Sequence, residues 1–238
     1  MAILPQPTPL RQLGRQLSVL HPPGSCLLCS TESGAELLCA ACAADLPRLP
    51  ESLCPLCSTP TTYGERCGAC LKAAPHFAST VALFRYDFPA DRLIQALKYA
   101  HQLAVAAWLG KLLSQRLGEN PCELLIPLPL HPERLRQRGF NQSVEIARPL
   151  ARALHLPLTL DTLSRIRATP PQAELTLKER AHNVRGAFEC SQDLNGRSVL
   201  LIDDVMTSGA TLNECARVLK LHGASRVDVA VAARALKH

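Results

Sequence analysis

Eight cysteines before residue 71 constrain this chain more than any other feature. Cys26-x-x-Cys29 is followed after nine residues by Cys39-x-x-Cys42, and Cys54-x-x-Cys57 after nine by Cys67-x-x-Cys70. Identical spacing in the two units makes this, in form, an internal duplication. A C-x-x-C pair presents two thiolates to one metal, and two such knuckles complete a tetrahedral site of four thiolates. The expectation is two structural zinc ions with Cys26, Cys29, Cys39, Cys42, Cys54, Cys57, Cys67 and Cys70 as ligands. Four thiolates leave no open coordination position, so such zinc is not catalytic. Pairing within each unit closes locally, whereas interleaved pairing needs the units to cross; the first is favoured. A disulfide framework belongs to oxidising compartments, for which nothing here speaks. Four regular pairs also exceed what thioredoxin-like redox chemistry needs. Little apolar material lies between the knuckles, so metal must supply much of their folding energy. Between residues 26 and 72 the only aromatic is Tyr63. A scaffold role therefore leads over a dedicated nucleic-acid surface.

The remainder is long enough for one substantial domain, the whole chain being 238 residues. The N-terminal segment 1–25 shows no secretory pattern, and no apolar run reaches the length of a spanning helix. Leu10, Leu13, Leu17 and Leu20 permit a short amphipathic helix there. On these features a cytoplasmic protein without a membrane span is expected. The net charge is +6, and between His131 and Arg185 ten Arg or Lys face five Asp or Glu. A basic tract of that kind meets a polyphosphate, a nucleic acid or only water.

Periodicity predicts an α/β fold from residue 76 to 238, behind a ribbon region spanning 26–75. Strands are expected at Thr80–Tyr86, Glu123–Leu130, Val199–Ile202 and Arg226–Ala233. Helices are expected at Asp91–Tyr99, Leu103–Leu117, Gln142–Leu154 and 212–222. Lys98 and Tyr99 close the first helix, where a cation suits the C-terminal dipole. Cys122, Cys190 and Cys215 stand alone in apolar settings and read as buried small side chains.

Two acids, Asp203 and Asp204, end the apolar run Val199–Ile202. A small-residue turn, Thr207-Ser208-Gly209-Ala210-Thr211, then opens a helix. Strand, loop and helix N-terminus make an anion site, because free N–H groups and the positive dipole end face the loop. Adjacent carboxylates repel and need a cation or several donors. Together they suit a ligand with phosphate and sugar hydroxyls, or magnesium. All thirteen residues resemble the phosphoribosyl-pyrophosphate (PRPP) loop of type I phosphoribosyltransferases. That resemblance implies that Asp203 and Asp204 hold the ribose hydroxyls as the catalytic pair. It also implies that Thr207, Ser208, Gly209, Ala210 and Thr211 cradle the 5′-phosphate, with magnesium accompanying PRPP.

Upstream, Pro127-Leu-Pro-Leu-His-Pro132 stops a strand and leads into an extended loop. Arg134, Arg136 and Arg138 in that loop suit anionic oxygens, which guanidinium forks grip well; a solvated basic surface is the alternative. With Arg138-Gly-Phe-Asn-Gln142, the later acid pair and the cysteine-rich front, the chain resembles the ComF family of competence-associated phosphoribosyltransferase-like proteins from Cys26 to Arg234. The resemblance implies a type I phosphoribosyltransferase fold, a parallel sheet flanked by helices, behind a double zinc ribbon. It makes Pro129–Gly139 the pyrophosphate loop and the proline-bearing excursion after Arg165 the flexible loop over the site. Gln172, Arg180 and Asn183 are that loop's matching polar residues, and Thr176-x-x-Glu179 reads as a capping box within it. Glu133 departs from the basic residue expected beside Arg134. Pro149 departs by entering a helix that it should kink. The implied activity is phosphoribosyl transfer from PRPP during DNA uptake. The alternative is a non-catalytic factor that handles single-stranded DNA alongside competence DNA-translocation proteins. Phe140 alone offers that basic tract an aromatic ring.

Overall fold

The computed structural model describes residues 24–118, 122–168 and 183–236. The helix expected around Leu10–Leu20 and the capping box at Thr176 lie outside them. The chain divides into two compact units after Ala44.

In the first unit β1 (Gly24–Ser25) pairs antiparallel with β2 (Glu32–Gly34), and α1 (Ala40–Ala44) follows directly after Cys39. The knuckle turns back on itself: Ser30 N donates to Cys26 O (2.8 Å) and Cys26 N to Thr31 O (2.7 Å). Ser30 takes a left-handed φ of 62° to make that turn.

The second unit begins with the second cysteine repeat and contains α2 (Gly68–Lys72), β3 (Ser79–Arg85), α3 (Ala90–Ala100), α4 (Leu103–Leu117) and β4 (Leu124–Pro127). Next come α5 (Pro132–Arg138), α6 (Gln142–Leu154), and the antiparallel pair β5 (Leu163–Arg165) and β6 (Phe188–Cys190). Then follow β7 (Ser198–Met206), α7 (Ala210–Leu221) and β8 (Arg226–Arg234). The main sheet runs β3-β8-β7-β4, all parallel. Its two central strands are apolar on both faces: Val199–Ile202 and Val229–Ala233 are completely buried. Such strands require helices on both sides of the sheet.

Two departures from the sequence expectations matter. β7 does not stop at Ile202 but runs through both acids to Met206, because β8 stays in register with it as far as Arg234. Asp203 and Asp204 are therefore strand residues, which point to opposite sides. Second, the segment after His131 is helical, not extended. Pro132 occupies the first turn, where its missing N–H is no loss, and Gly139 closes α5 with φ 80°.

Pro149 lies inside α6, which nevertheless runs unbroken from Gln142 to Leu154. The Pro149 ring packs against Gly110 of α4. A Cβ there would stand 2.5 Å from Pro149 Cγ and 2.7 Å from Ile146 O, so only glycine lets the two helices approach this closely. α4 also meets the sheet through Trp108, stacked on Phe84 with centroids 5.9 Å apart. Cys122, Cys190 and Cys215 are buried, as expected. Among the described residues no helix is long and apolar enough to cross a membrane.

Candidate functional site

A cleft of about 320 Å³ opens at the C-terminal edge of β7. Parallel α/β sheets place ligands at this edge, where loops and helix N-termini converge. Asp203, Asp204, Thr207, Gly209, Ala210 and Thr211 line it from β7 and α7. Arg134 and Arg138 line it from α5, and Lys98 and Tyr99 from the end of α3.

Strand alternation sends the two acids to different partners. Asp203 Oδ1 accepts from Ser143 Oγ and from Asp204 N, both at 2.9 Å. Asp204 Oδ2 is ion-paired with Lys98 Nζ. Burial and the adjacent Asp204 carboxylate push Asp203 up to about 8, so it holds its proton at neutral pH. Burial also works against ionised Asp204, but the Lys98 ammonium overcomes it and holds that carboxyl below its ordinary range. Lys98 responds in the same way: burial opposes its charge, Asp204 outweighs burial, and its pKa rises. The pair thus divides into one neutral and one charged acid. From the sequence, Lys98 is a dipole cap alone. The signal for more is the acid pair's need for a cation; which cation answers it depends on the packing of α3 against the strand end.

The Arg138–Gln142 run acquires a role for each residue. Helical periodicity puts Arg134 and Arg138 on one face of α5 and Arg136 on another; Arg136 is exposed and does not line the cleft. Arg138 Nη1 donates to Gln142 Oε1 at 2.7 Å, and the Gln142 side chain also supports the charge on Asp204. Gly139 turns the chain, and Phe140 packs against His101 with centroids 5.4 Å apart. Asn141 caps α6: its Oδ1 accepts from Ser143 N and its Nδ2 donates to Leu128 O, both at 2.9 Å. That cap places Ser143 against Asp203.

The turn into α7 depends on Gly209. Its φ is 78°, and a Cβ would fall 2.6 Å from Met206 Cε. Ser208 Oγ accepts from Ala210 N at 3.3 Å, so this hydroxyl serves the turn, and Ser208 is not among the lining residues. Arg165, at the end of β5, is a cleft residue that the sequence marks only as the start of the excursion. Its guanidinium lies over the Phe188 ring, 5.5 Å from the centroid, where β5 and β6 join the two ends of that excursion. Gln172 and Arg180 fall outside the described residues. Asn183 is described: its carbonyl accepts from Arg167 Nη2 at 3.1 Å, and it does not line the cleft.

The eight cysteines gather as Cys26, Cys29, Cys39, Cys42 and as Cys54, Cys57, Cys67, Cys70, so pairing is sequential. Tetrahedral Zn–S bonds of about 2.3 Å separate sulfurs by about 3.8 Å. Cys29 and Cys39 sulfurs are 3.7 Å apart and those of Cys57 and Cys67 3.5 Å, which fits. Burial disfavours the Cys54 thiolate, yet backbone N–H groups of Cys67, Cys57 and Leu56 bring it down to about 7. Both centres fit structural zinc.

Comparison with known proteins agrees with this architecture. The double zinc ribbon domain matches residues 16–71, and the phosphoribosyl transferase domain matches residues 141–237. The DNA utilization protein YhgH of Salmonella typhimurium is 32% identical over 220 residues, covering 89% of this chain and 97% of that one. Competence protein F of Haemophilus influenzae is 33% identical over 175 residues, covering 69% and 76% respectively. Among solved structures, the purine phosphoribosyltransferase of Pyrococcus horikoshii Ot3 overlaps only loosely. It has a TM-score of 0.35 and 18% identity over 56% of this chain and 74% of that one. An alignment that carries both ribbon and sheet at this identity leads to one assignment: the chain belongs to the ComF family of phosphoribosyltransferase-domain proteins.

Proposed function

We propose that the cleft binds PRPP and that the chain acts in DNA uptake within the cytoplasm. The observation that carries this reading is the convergence in one cleft of three elements suited to three parts of PRPP. Thr207–Thr211 and the N-terminus of α7 take the 5′-phosphate through backbone N–H groups. Asp203 and Asp204 take the ribose hydroxyls. Arg134 and Arg138 grip the pyrophosphate, where forked guanidinium groups serve best. The acids do not offer a ready magnesium site: Asp203 Oδ1 already accepts two protein donors, and Lys98 occupies Asp204. Magnesium enters as part of the substrate, on its pyrophosphate.

In phosphoribosyl transfer, pyrophosphate leaves C1 as an acceptor attacks the developing oxocarbenium ion. The Asp204 carboxylate and the two arginines stabilise charge that moves from the sugar to the leaving group. Isothermal titration of PRPP with magnesium tests the binding, using wild type and Asp203→Asn/Asp204→Asn. Saturable binding lost in the variant supports the reading, and no binding by wild type at millimolar PRPP ends it. Pyrophosphate release with candidate bases then tests turnover.

A second reading, single-stranded DNA handling, is favoured by one observation. The basic tract by itself contains only Phe140, but the fold brings two rings from the end of α3 to it. Tyr99, 70% exposed, lies under Arg138 with its centroid 5.6 Å from the guanidinium carbon, and His101 meets Phe140. Aromatic rings beside arginines form a stacking surface for unpaired bases. The relatives' names, DNA utilization protein and competence protein, are consistent with it. A salt-dependent gel shift tests it; unchanged affinity in Tyr99→Ala/Phe140→Ala removes this surface.

A further inference from the structure

Arg234, the last residue of β8, is 7% exposed and has no part in the cleft described above. Its guanidinium faces two ways. On one side Nε donates to Cys57 O at 2.9 Å and Nη2 to Thr59 Oγ1 at 3.2 Å. On the other, Nη1 donates to Met206 O at 3.0 Å, to Ala235 O at 2.6 Å and to Thr207 O. One side chain therefore joins a cysteine knuckle to the first residues of the phosphate loop.

The knuckle side of this link reaches the metal position itself. The Thr59 hydroxyl lies 3.2 Å from Cys57 Sγ. With Cys57 a metal-bound thiolate, that hydroxyl donates to the sulfur while accepting from Arg234. Partners of this kind orient ligands and tune metal affinity. The knuckle is further pinned to β3: Ser58 Oγ donates to Thr80 O at 2.5 Å, and Thr80 Oγ1 donates to Leu56 O at 2.6 Å.

Charge accounts for the choice of arginine. Among the described residues, no carboxylate lies within ion-pairing distance of Arg234. Burial opposes its charge and leaves its pKa below the ordinary arginine value; the sulfurs of Cys57, Cys67 and Cys70 offset part of that opposition. Four thiolates around a divalent ion carry a formal charge of about −2, so the filled centre is the counter-ion of this guanidinium. On the loop side, a trans peptide holds its C=O and N–H in opposite directions. Pinning the Met206 and Thr207 carbonyls to Arg234 turns the N–H groups of Thr207 and Ser208 away from it. The loop's amide orientation is thus set from beneath.

We infer that Arg234 is a positioning residue that couples the second zinc centre to the phosphate loop, so that metal occupancy at Cys54–Cys70 holds that loop in its binding conformation. The inference rests on the proposed PRPP reading only for the identity of the loop's ligand. Chelation of the metal at this centre removes the counter-charge and loosens residues 206–211.

The test uses full-length protein and compares Arg234→Lys and Thr59→Val with Thr31→Val. Thr31 is the matched hydroxyl of the first knuckle, 2.8 Å from Cys29 Sγ. Zinc affinity is read by competition with a chromogenic chelator, and loop order by hydrogen exchange of peptides covering 206–211. Cobalt-substituted protein adds the thiolate-to-metal charge-transfer band. Thr59→Val is expected to weaken one zinc by about 10–100-fold, shift the cobalt band and speed loop exchange about tenfold, the equivalent of one lost hydrogen bond. Arg234→Lys should do the same, since lysine cannot span both sides. Thr31→Val should weaken one zinc and leave loop exchange unchanged. The inference is overturned if loop exchange in Thr59→Val stays at the wild-type value, whether or not zinc affinity falls and the cobalt band shifts. Should Arg234→Lys fail to fold, Thr59→Val decides. None of these readouts contains PRPP, so failure of PRPP binding is registered separately by titration.

Discussion

Replacing Lys98 with methionine isolates the electrostatics of the cleft. The substitution keeps most of the side chain's volume and removes the cation paired with Asp204. Abandoning a buried charge costs about 3–5 kcal/mol as long as that charge persists. Asp204 can escape by taking a proton, which limits the cost to about 1.4 kcal/mol for each pH unit above the ordinary carboxylate pKa, up to its new, raised value. In wild type its folded pKa is depressed, so its contribution is complete above the ordinary carboxylate range and constant from pH 5 to 8. In the variant the folded pKa lies above the unfolded value, so stability is lost as pH rises. The difference between the two proteins must therefore grow from pH 5 to pH 8. Trp108 is the only tryptophan in the chain, so its fluorescence during urea unfolding reports on the sheet unit alone. We expect a loss of about 1 kcal/mol at pH 5, rising to about 3–5 kcal/mol at pH 8. Lys98→Met/Asp204→Asn should recover most of it, because no buried charge is then left behind. A pH-independent loss, or no recovery in the double variant, would refute the ion-pair reasoning.

The neighbouring acid gives the opposite profile. Asp203 has a folded pKa of about 8, above its unfolded value, so its contribution is complete below about pH 4 and is lost as pH rises through 8. Asp203→Asn mimics the protonated acid and should flatten that decline in urea titrations; an unchanged slope would count against a protonated Asp203. Gly110→Ala should cost about 1–3 kcal/mol through overpacking against Pro149, with part regained in Gly110→Ala/Pro149→Ala; a neutral result would show that the two helices separate freely. Arg134→Ala/Arg138→Ala should weaken PRPP by about 10–100-fold, the equivalent of lost charge-assisted hydrogen bonds. Arg136→Ala should change it less than about twofold, as an exposed charge on the far face, and equal losses would overturn the division of α5 into faces.

Local chemistry made much of this protein legible in its sequence. Cysteine spacing marks the eight ligands and favours pairing within each unit, because each knuckle closes within six residues; the fold decides between sequential and interleaved pairing by gathering two sequential tetrads. The buried strands, the glycine turn at Gly209 and the acid pair likewise follow from residues adjacent in the chain. The basic tract could not be resolved in the same way. Three arginines at alternate positions look equivalent along a line, and only the helical turn of α5 separates Arg136 from Arg134 and Arg138. Long-range pairing decided the rest. Lys98 reaches Asp204 across more than a hundred residues, Tyr99 and His101 reach the Arg138–Phe140 turn, and Arg234 joins Cys57 to Thr207. Periodicity encodes which face a residue occupies, but a buried charge takes its partner from whatever the packed sheet and helices bring beside it.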